Sequence, residues 1–166
     1  ETHRLALHAD DVPYLERQYE LLAAEYLKRR QTEKWFNFFH FMLDLYDGPC
    51  ESKRMSGCGA GNEYVAVNPV GDIYPCHQFD GNAQFKMGSV LDNSFEPSIA
   101  EFFAKNNLTA KPDCMKCWAK YYCSGGCAAN AIQYGGSINT PCEVSCRLMK
   151  KRIECAIAVN SIENTK

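Results

Sequence analysis

The sequence lacks the features that mark membrane, secreted and nucleic-acid-binding chains. It has no run of about 18 apolar residues that could span a bilayer, and its first residues, ETHRLALHADD, do not show the basic and then apolar pattern of a signal peptide. Its 18 basic and 20 acidic residues are mixed along the chain and give a net charge of -2. No basic field that would attract nucleic acid is therefore expected. We expect a cytoplasmic chain without nucleic-acid or membrane partners.

Several catalytic motifs are absent as well. The chain has no G-x-G-x-x-G loop, P-loop, G-x-S-x-G or H-E-x-x-H sequence. It also begins without methionine, which leaves open a preceding region. The chemistry of this chain must therefore come from other residues.

Cysteine, by contrast, is abundant, with ten residues among 166. Ten thiols could form five disulfides in a secreted protein, but cytosolic thiols are kept reduced. Because no signal segment is seen, metal or cluster ligation is favoured over disulfides.

Seven of these cysteines fall into two regularly spaced groups. The first has the form C-x12-G-x4-C and the second C-x2-C-x5-C-x3-C, followed after a gap by one more. Two cysteines separated by two residues can direct both sulfurs at one metal centre. The number of thiols alone is compatible with two iron-sulfur clusters or with two zinc sites. The seven residues are Cys58, Cys76, Cys114, Cys117, Cys123, Cys127 and Cys146.

The hydrophobic pattern predicts an α+β fold with a helix near each end of the chain. Apolar residues at helical spacing predict helices over 12–31, 97–106 and 143–162. The aromatic run 33–50 is predicted to be a buried helix or a helical connector. Alternating residues on both sides of Asn68-Pro69-Val70-Gly71-Asp72 predict a β-hairpin, and Lys111-Pro112 is predicted to lie in a loop.

The cysteine pattern as a whole resembles the SPASM domain, the auxiliary-cluster extension of radical S-adenosylmethionine (SAM) enzymes that modify peptides and proteins. The segments FNFFHFMLDL, GPC, SGCGAGNEYVAV, GDIYPCHQF, YYCSGGCAANA and KKRIECAI are similar to maturases of six-cysteine (SCIFF) peptides. This resemblance covers nearly the whole chain from about Glu16 onward. It implies that residues 1–48 are the helical tail of a radical SAM barrel or a linker, and that residues 49–166 are a SPASM domain with a C-terminal helix.

The resemblance also implies two [4Fe-4S] clusters with interleaved ligands, surrounded by the hairpin and cysteine-rich loops. The ligands implied for the first cluster are Cys58, Cys76 and Cys127. Those implied for the second are Cys114, Cys117, Cys123 and Cys146. The fourth position of the first cluster is taken either by Cys50 or by a thiolate of the substrate.

Three further residues lie outside this ligand set. Cys155 is expected to be a small buried hydrophobic residue. Cys142 stands four residues before Cys146 and could compete with it for the second cluster. His77 occupies the place where anaerobic sulfatase maturases carry an Asp base, and we expect it to hydrogen-bond a cluster sulfur or a backbone carbonyl.

The function implied is that of part of an oxidoreductase that forms Cys thioether (sactionine-type) crosslinks in a ribosomally made precursor peptide. The SAM-binding C-x3-C-x2-C motif is absent, because Asn130 stands where its third cysteine would follow Cys123 and Cys127. SAM cleavage is therefore expected in a barrel outside this sequence or on another chain, and this chain is expected to be inactive alone. The alternatives are the SPASM domain of another maturase, such as an anaerobic sulfatase maturase, and a zinc-stabilised peptide-binding module.

Overall fold

A computed structural model describes residues 6–45 and 48–163, which form two compact units. The first unit combines Glu1–Pro49 with Glu143–Lys166, and the second is Cys50–Cys142. The helices are α1 Val12–Arg29, α2 Glu51–Met55, α3 Pro97–Ala104, α4 Pro112–Met115, α5 Lys120–Cys123, α6 Ala128–Gly135 and α7 Glu143–Glu163. The strands are β1 Ala66–Val67, β2 Asp72–Tyr74, β3 Gly88–Ser89 and β4 Ser94–Phe95. The α+β fold class with helices near both ends is confirmed.

The first unit is built on the pairing of α1 with α7. Arg147 lies 3.1 Å from Glu16, and Lys151 lies 3.2 Å from Glu20. The residue numbers of the paired positions increase in the same direction along both helices, from Glu16 to Glu20 in α1 and from Arg147 to Lys151 in α7. The two helices therefore run parallel. Their apolar residues form one core with Phe41, and this burial supplies most of the stability that an isolated amphipathic helix lacks. The buried members are Ala23, Tyr26, Phe41, Cys155, Ala156 and Val159.

The aromatic run 33–50 is not a buried helix, and that prediction was wrong for the part that the structure describes. Only Phe39–Phe41 forms a single 3-10 turn, and Tyr46 and Asp47 lie outside the described residues. Phe41 is buried, whereas the side chains of Trp35 and Phe39 are 50% and 69% exposed. Aromatic residues have only moderate helix propensity, so the run does not need to form a helix. The buried side chain of Phe41 holds this irregular segment on the core.

The second unit contains a four-stranded antiparallel sheet in the order β1-β2-β3-β4. The predicted hairpin is confirmed: Ala66 pairs with Tyr74 and Val67 with Ile73. The Asn68 side chain accepts hydrogen bonds from the backbone N–H groups of Val70 and Asp72. Such a turn directs the chain into β2 and thus towards Cys76.

The core of the second unit is formed by residues from the sheet, the short helices and the loops. This core consists mainly of aromatic side chains and alanines, and it includes Cys76. The buried members are Ala60, Tyr74, Cys76, Phe79, Phe85, Phe103, Ala128, Ala129 and Ile138. The predicted helices at 97–106 and 143–162 are confirmed as α3 and α7. Within the described residues, the helices fall short of the length and apolar character needed to cross a membrane.

Candidate metal centre

Three cysteines from separate segments of the second unit lie near enough to Tyr64 to influence its ionisation. The hydroxyl of Tyr64 donates a hydrogen bond to Sγ of Cys58 over 3.8 Å. Partial burial raises the pKa of Tyr64 to about 12, with further contributions from the bond to Cys58 and from the charges of Cys58, Cys76 and Cys127. The three cysteines predicted to share the first cluster are thus within electrostatic range of one tyrosine, while their shared ligation stays a prediction.

Cys76 is the buried member of this first cysteine group. It follows β2 and precedes the 3-10 turn His77–Phe79, so its sulfur faces the first N–H groups of that turn. Burial raises the pKa of the Cys76 thiol, the backbone N–H of Gln78 lowers it, and the charges of Cys127 and Cys58 raise it again. A bound metal would relieve this crowding, because it stabilises thiolates directly.

Cys127 reaches the same group from the start of α6. It is the N-cap residue of this eight-residue helix, and its carbonyl accepts a hydrogen bond from the backbone N–H of Ala131. The N-terminal end of a helix carries a partial positive charge that favours a thiolate. Cys127 and Cys58 are exposed while Cys76 is buried, so this group lies at the surface of its unit.

The second cysteine group contains Cys114, Cys117 and Cys123. Burial raises the pKa of Cys114, and the charge of Lys111 lowers it, while the charges of Cys123 and Cys117 raise it further. Short helices α4 and α5 bring these residues together: Cys114 lies in α4, and Cys123 is the last residue of α5. These are three of the four cysteines predicted for the second cluster.

The other cysteines considered as cluster ligands are Cys50, Cys142 and Cys146. Cys50 is exposed at the N-cap of α2, where its sulfur lies 3.3 Å from the Ser52 hydroxyl. Cys146 lies in α7 within the other unit, so its assignment continues to rest on the resemblance. Cys142 is half-buried at the end of the second unit.

The structure also locates Cys155 and His77, which lie outside the predicted ligand set. Cys155 is buried in the core of the first unit, as expected for a small hydrophobic residue. His77 is exposed, and its Nε2 lies 3.2 Å from the side-chain nitrogen of Gln78.

A short loop, Ser124-Gly125-Gly126, joins the second cysteine group to the first. All three residues have positive φ angles, which two glycines permit without strain. The Gly57 residue before Cys58 packs against this loop: a Cβ placed there would lie 3.1 Å from the carbonyl oxygen of Ser124. The loop is therefore fixed between the two groups.

The donor set of both groups consists of thiols alone, which suits iron-sulfur clusters. All ten cysteines are free thiols. Among residues 6–45 and 48–163, no three His, Cys, Asp or Glu side chains are arranged to hold a single metal ion. A [4Fe-4S] cluster makes a different demand, because its four irons take one thiolate each.

Ser124 adds an independent observation that fits such a cluster. Its Oγ is buried and has no hydrogen-bond partner among the described residues. A buried hydroxyl without a partner usually indicates a missing ligand or water. A sulfur of a bound cluster would accept this hydrogen bond, since hydrogen bonds to cluster sulfurs are common.

Comparison with known families agrees with this arrangement. Residues 58–118 match the SPASM model, described as an iron-sulfur cluster-binding domain. This segment is therefore similar to SPASM domains, and the resemblance predicted from the cysteine pattern is confirmed. The matched range contains Cys58, Cys76, Cys114 and Cys117. The cysteines at 123, 127 and 146 lie beyond the matched range.

A curated relative points in the same direction. Over 109 residues the chain is 31% identical to the antilisterial bacteriocin subtilosin biosynthesis protein AlbA of Bacillus subtilis. The alignment covers 58% of this chain but only 24% of that protein. The matched part of the chain thus spans about a quarter of the length of that relative.

Three residues beside the cysteines were missed by the sequence analysis. Tyr64 was read only as part of the hairpin pattern, Ser124 was not singled out, and Lys111 was predicted to lie in a loop. Lys111 is in fact 2% exposed and precedes α4. A lysine next to proline carries no local signal of burial, whereas Tyr64 could have been suspected from its position six residues after Cys58.

Proposed function

We propose that this chain is the auxiliary [4Fe-4S] cluster portion of a radical SAM maturase that forms Cys thioether crosslinks in a ribosomally made peptide. The observation that carries the proposal is the electrostatic proximity of the thiols within two groups of three, the first of which joins segments that are far apart in sequence. Cys58, Cys76 and Cys127 span 70 positions, yet all three act on Tyr64. A chain has little reason to gather reduced thiols in this way unless they hold a metal group.

The ligand assignment follows the two groups. Cys58, Cys76 and Cys127 would hold the first cluster. Cys114, Cys117 and Cys123 would hold the second, with Cys146 as the fourth ligand implied by the resemblance. When bound, such clusters supply electron transfer, and an iron with an open position also supplies a site for a thiolate.

The residues around the first group would orient and select the substrate. Tyr64 is 44% exposed, so its hydroxyl can donate to Cys58 while its ring faces an incoming peptide. The exposed positions of Cys58 and Cys127 leave room for a peptide from the solvent side. The buried Cys76, fixed by backbone N–H groups, would anchor the group on the side of the core.

The fourth position of the first cluster is proposed for a substrate thiolate rather than Cys50. Cys50 lies at the exposed N-cap of α2, where the Ser52 hydroxyl lowers its pKa most and the backbone N–H of Lys53 contributes further. This thiol thus already has local hydrogen-bond partners outside the group around Tyr64. A peptide cysteine has a reference pKa of about 8.5 and would become a thiolate on binding iron.

The name of the relative supports a peptide as the substrate. AlbA takes part in the biosynthesis of the bacteriocin subtilosin, and we extend this to a ribosomally made precursor peptide for the present chain. The SAM-cleaving barrel would be a second partner, either in the same protein or on another chain.

The direct test is the metal content of the chain purified without oxygen. Two [4Fe-4S] clusters require about eight irons and eight acid-labile sulfides per chain, together with a brown visible spectrum. Near-stoichiometric zinc without sulfide, even after anaerobic reconstitution, would contradict the proposal and favour the zinc-stabilised peptide-binding module.

A second experiment tests the substrate thiolate. A synthetic peptide with one cysteine and a matched peptide with serine at that position are added to the reconstituted chain. We expect the cysteine peptide alone to change the electron paramagnetic resonance spectrum of the reduced clusters. Equal effects, or no effect, of the two peptides would contradict an open iron position.

A further inference from the structure

Lys111 places an amino group inside the second unit, next to the second cysteine group. Its residue is 2% exposed, and its Nζ donates a hydrogen bond to the backbone oxygen of Gly125 over 3.0 Å. Lysine is almost never fully buried unless it is paired, because removing an ammonium group from water is costly. A buried lysine therefore needs negative charge near it.

The thiols next to Lys111 would supply that negative charge once they hold a cluster as thiolates. Lys111 acts electrostatically on both Cys114 and Cys123. Burial is the largest influence on both thiols and raises the pKa of each, while the lysine charge acts in the opposite sense. The amino group thus lies close to two proposed ligands of one cluster.

Lys111 also joins the two segments that carry these thiols. Its backbone carbonyl accepts a hydrogen bond from the N–H of Met115 in the turn that contains Cys114. Its side chain ends on the loop that follows Cys123. One residue thereby fixes the separation of both segments.

The loop is shaped to receive this side chain. Gly125 has a φ of +81°, and a Cβ there would lie 3.3 Å from Cδ and 3.4 Å from Nζ of Lys111. The backbone N–H groups of Gly126 and Gly125 hydrogen-bond the sulfur of Cys123 and lower its pKa, against the larger effect of burial. Lysine and loop therefore both direct positive charge at the same sulfur.

We propose that Lys111 is a positioning residue that supplies a buried positive charge beside the second cluster and raises its reduction potential. This inference rests on the proposed function. Reduction adds one electron to a cluster that is already anionic with its thiolates, so a nearby cation stabilises the reduced form. The charge is shielded from solvent and is therefore screened little by salt.

The experiment compares three substitutions in a chain that retains only the second cluster. The parent is the full chain with Cys58→Ala and Cys76→Ala, reconstituted without oxygen. Lys111→Gln keeps a hydrogen-bond donor for Gly125 but removes the charge, and Lys111→Arg keeps the charge. Lys116→Gln is the matched control, because Lys116 lies between Cys114 and Cys117 but is exposed.

The readout is the midpoint potential of the remaining cluster from a titration followed by electron paramagnetic resonance. We expect K111Q to shift this potential to more negative values than the parent, K111R to stay near the parent, and K116Q to shift it less than K111Q. A K111Q potential equal to that of the parent would overturn the inference, as would equal shifts in K111Q and K116Q.

A second comparison applies if K111Q does not fold, as judged by circular dichroism. Folding and cluster retention in K111R then support the requirement for charge, whereas loss of both in K111R overturns it. The iron content of the unsubstituted chain separates the two proposals. A chain with about eight irons and an unshifted K111Q contradicts the inference about Lys111 alone, whereas a chain without iron contradicts the proposed function as well.

Discussion

The hydroxyl of Tyr64 and the sulfur of Cys58 lie 3.8 Å apart, with the hydroxyl as the donor. This is a weak hydrogen bond to a thiol, but it strengthens when the acceptor is ionised, as a cluster ligand would be. Tyr64 therefore links the polypeptide to the first cysteine group without being one of its ligands.

Replacing Tyr64 with Phe tests this link. We expect the first cluster to become harder to reduce, because a hydrogen bond to a ligand sulfur stabilises the reduced state. The unfolding free energy should change by only about 0.5–1.5 kcal/mol, since one hydrogen bond is lost. The potential of the first cluster is measured by the same type of titration, but in the chain that keeps both clusters. Tyr134→Phe is the control, because Tyr134 is an exposed tyrosine of α6. Equal potentials in Y64F and the unsubstituted chain would contradict the role of this hydroxyl.

Cysteine substitutions test the assignment of the first cluster. We expect Cys76→Ala to lose about half of the iron, since one of two clusters loses a buried ligand. Cys50→Ala should retain the full content, because its thiol bonds to Ser52 on the exposed N-cap of α2. Iron and sulfide analysis of both variants decides the point. Loss of iron from C50A to the level of C76A would show that Cys50 is the fourth ligand.

Alanine substitutions at Gly88 and Gly81 test the pairing of strands β3 and β4 in the sheet that precedes Cys76. A methyl group at Gly88 would fall on the carbonyl of Ser94 in the neighbouring strand, whereas one at Gly81 meets no atom within 4 Å. Both residues have positive φ angles, so each alanine costs about 1–2 kcal/mol from backbone strain. We expect Gly88→Ala to lose about 1–3 kcal/mol more through the clash. Urea unfolding followed by circular dichroism measures both, and equal losses would contradict the β3–β4 pairing.

Acid should weaken the first unit through Glu20. Hydrogen bonds from Arg17 and then Lys151 hold the pKa of Glu20 below its ordinary value of 4.5. A carboxylate with a lowered pKa in the folded state stabilises the fold above its unfolded pKa, and this contribution is lost as the pH falls below 4.5 through the lowered value. Glu20→Gln should therefore show a smaller loss of melting temperature on acidification than the unsubstituted chain.

The control for this titration is Glu33→Gln, which removes an exposed carboxylate outside α1 and α7. Its melting temperature should follow the unsubstituted chain through the same pH range. If E20Q and E33Q have the same pH dependence, the pairing of Glu20 with Lys151 does not contribute.

Local patterns predicted the longer elements well. Helix α1 was predicted over 12–31 and is observed over Val12–Arg29, because its apolar spacing is carried by many residues. Strands β3 and β4 were missed, since each has two residues and pairing alone defines them. The aromatic run 33–50 was predicted to be a buried helix because of its apolar content. That content does not determine a helix, since an irregular segment can bury Phe41 equally well.

The candidate site was predictable only in part. The spacing of Cys114, Cys117 and Cys123 placed these thiols together, because few residues separate them. The meeting of Cys76 with Cys127 followed from the family resemblance, since no local pattern encodes a contact between residues 51 positions apart. Lys111 could not be predicted, because its burial depends on the space that Gly125 leaves open.

The first unit is discontinuous in sequence, and this sets an order for synthesis on the ribosome. Helix α1 ends at Arg29 and its partner α7 begins at Glu143. At about 5–20 residues per second, the apolar face of α1 leaves the ribosome several seconds before α7 exists. The intervening unit can form during that delay. Cys146 lies in α7, so its thiol becomes available only after those of Cys114, Cys117 and Cys123.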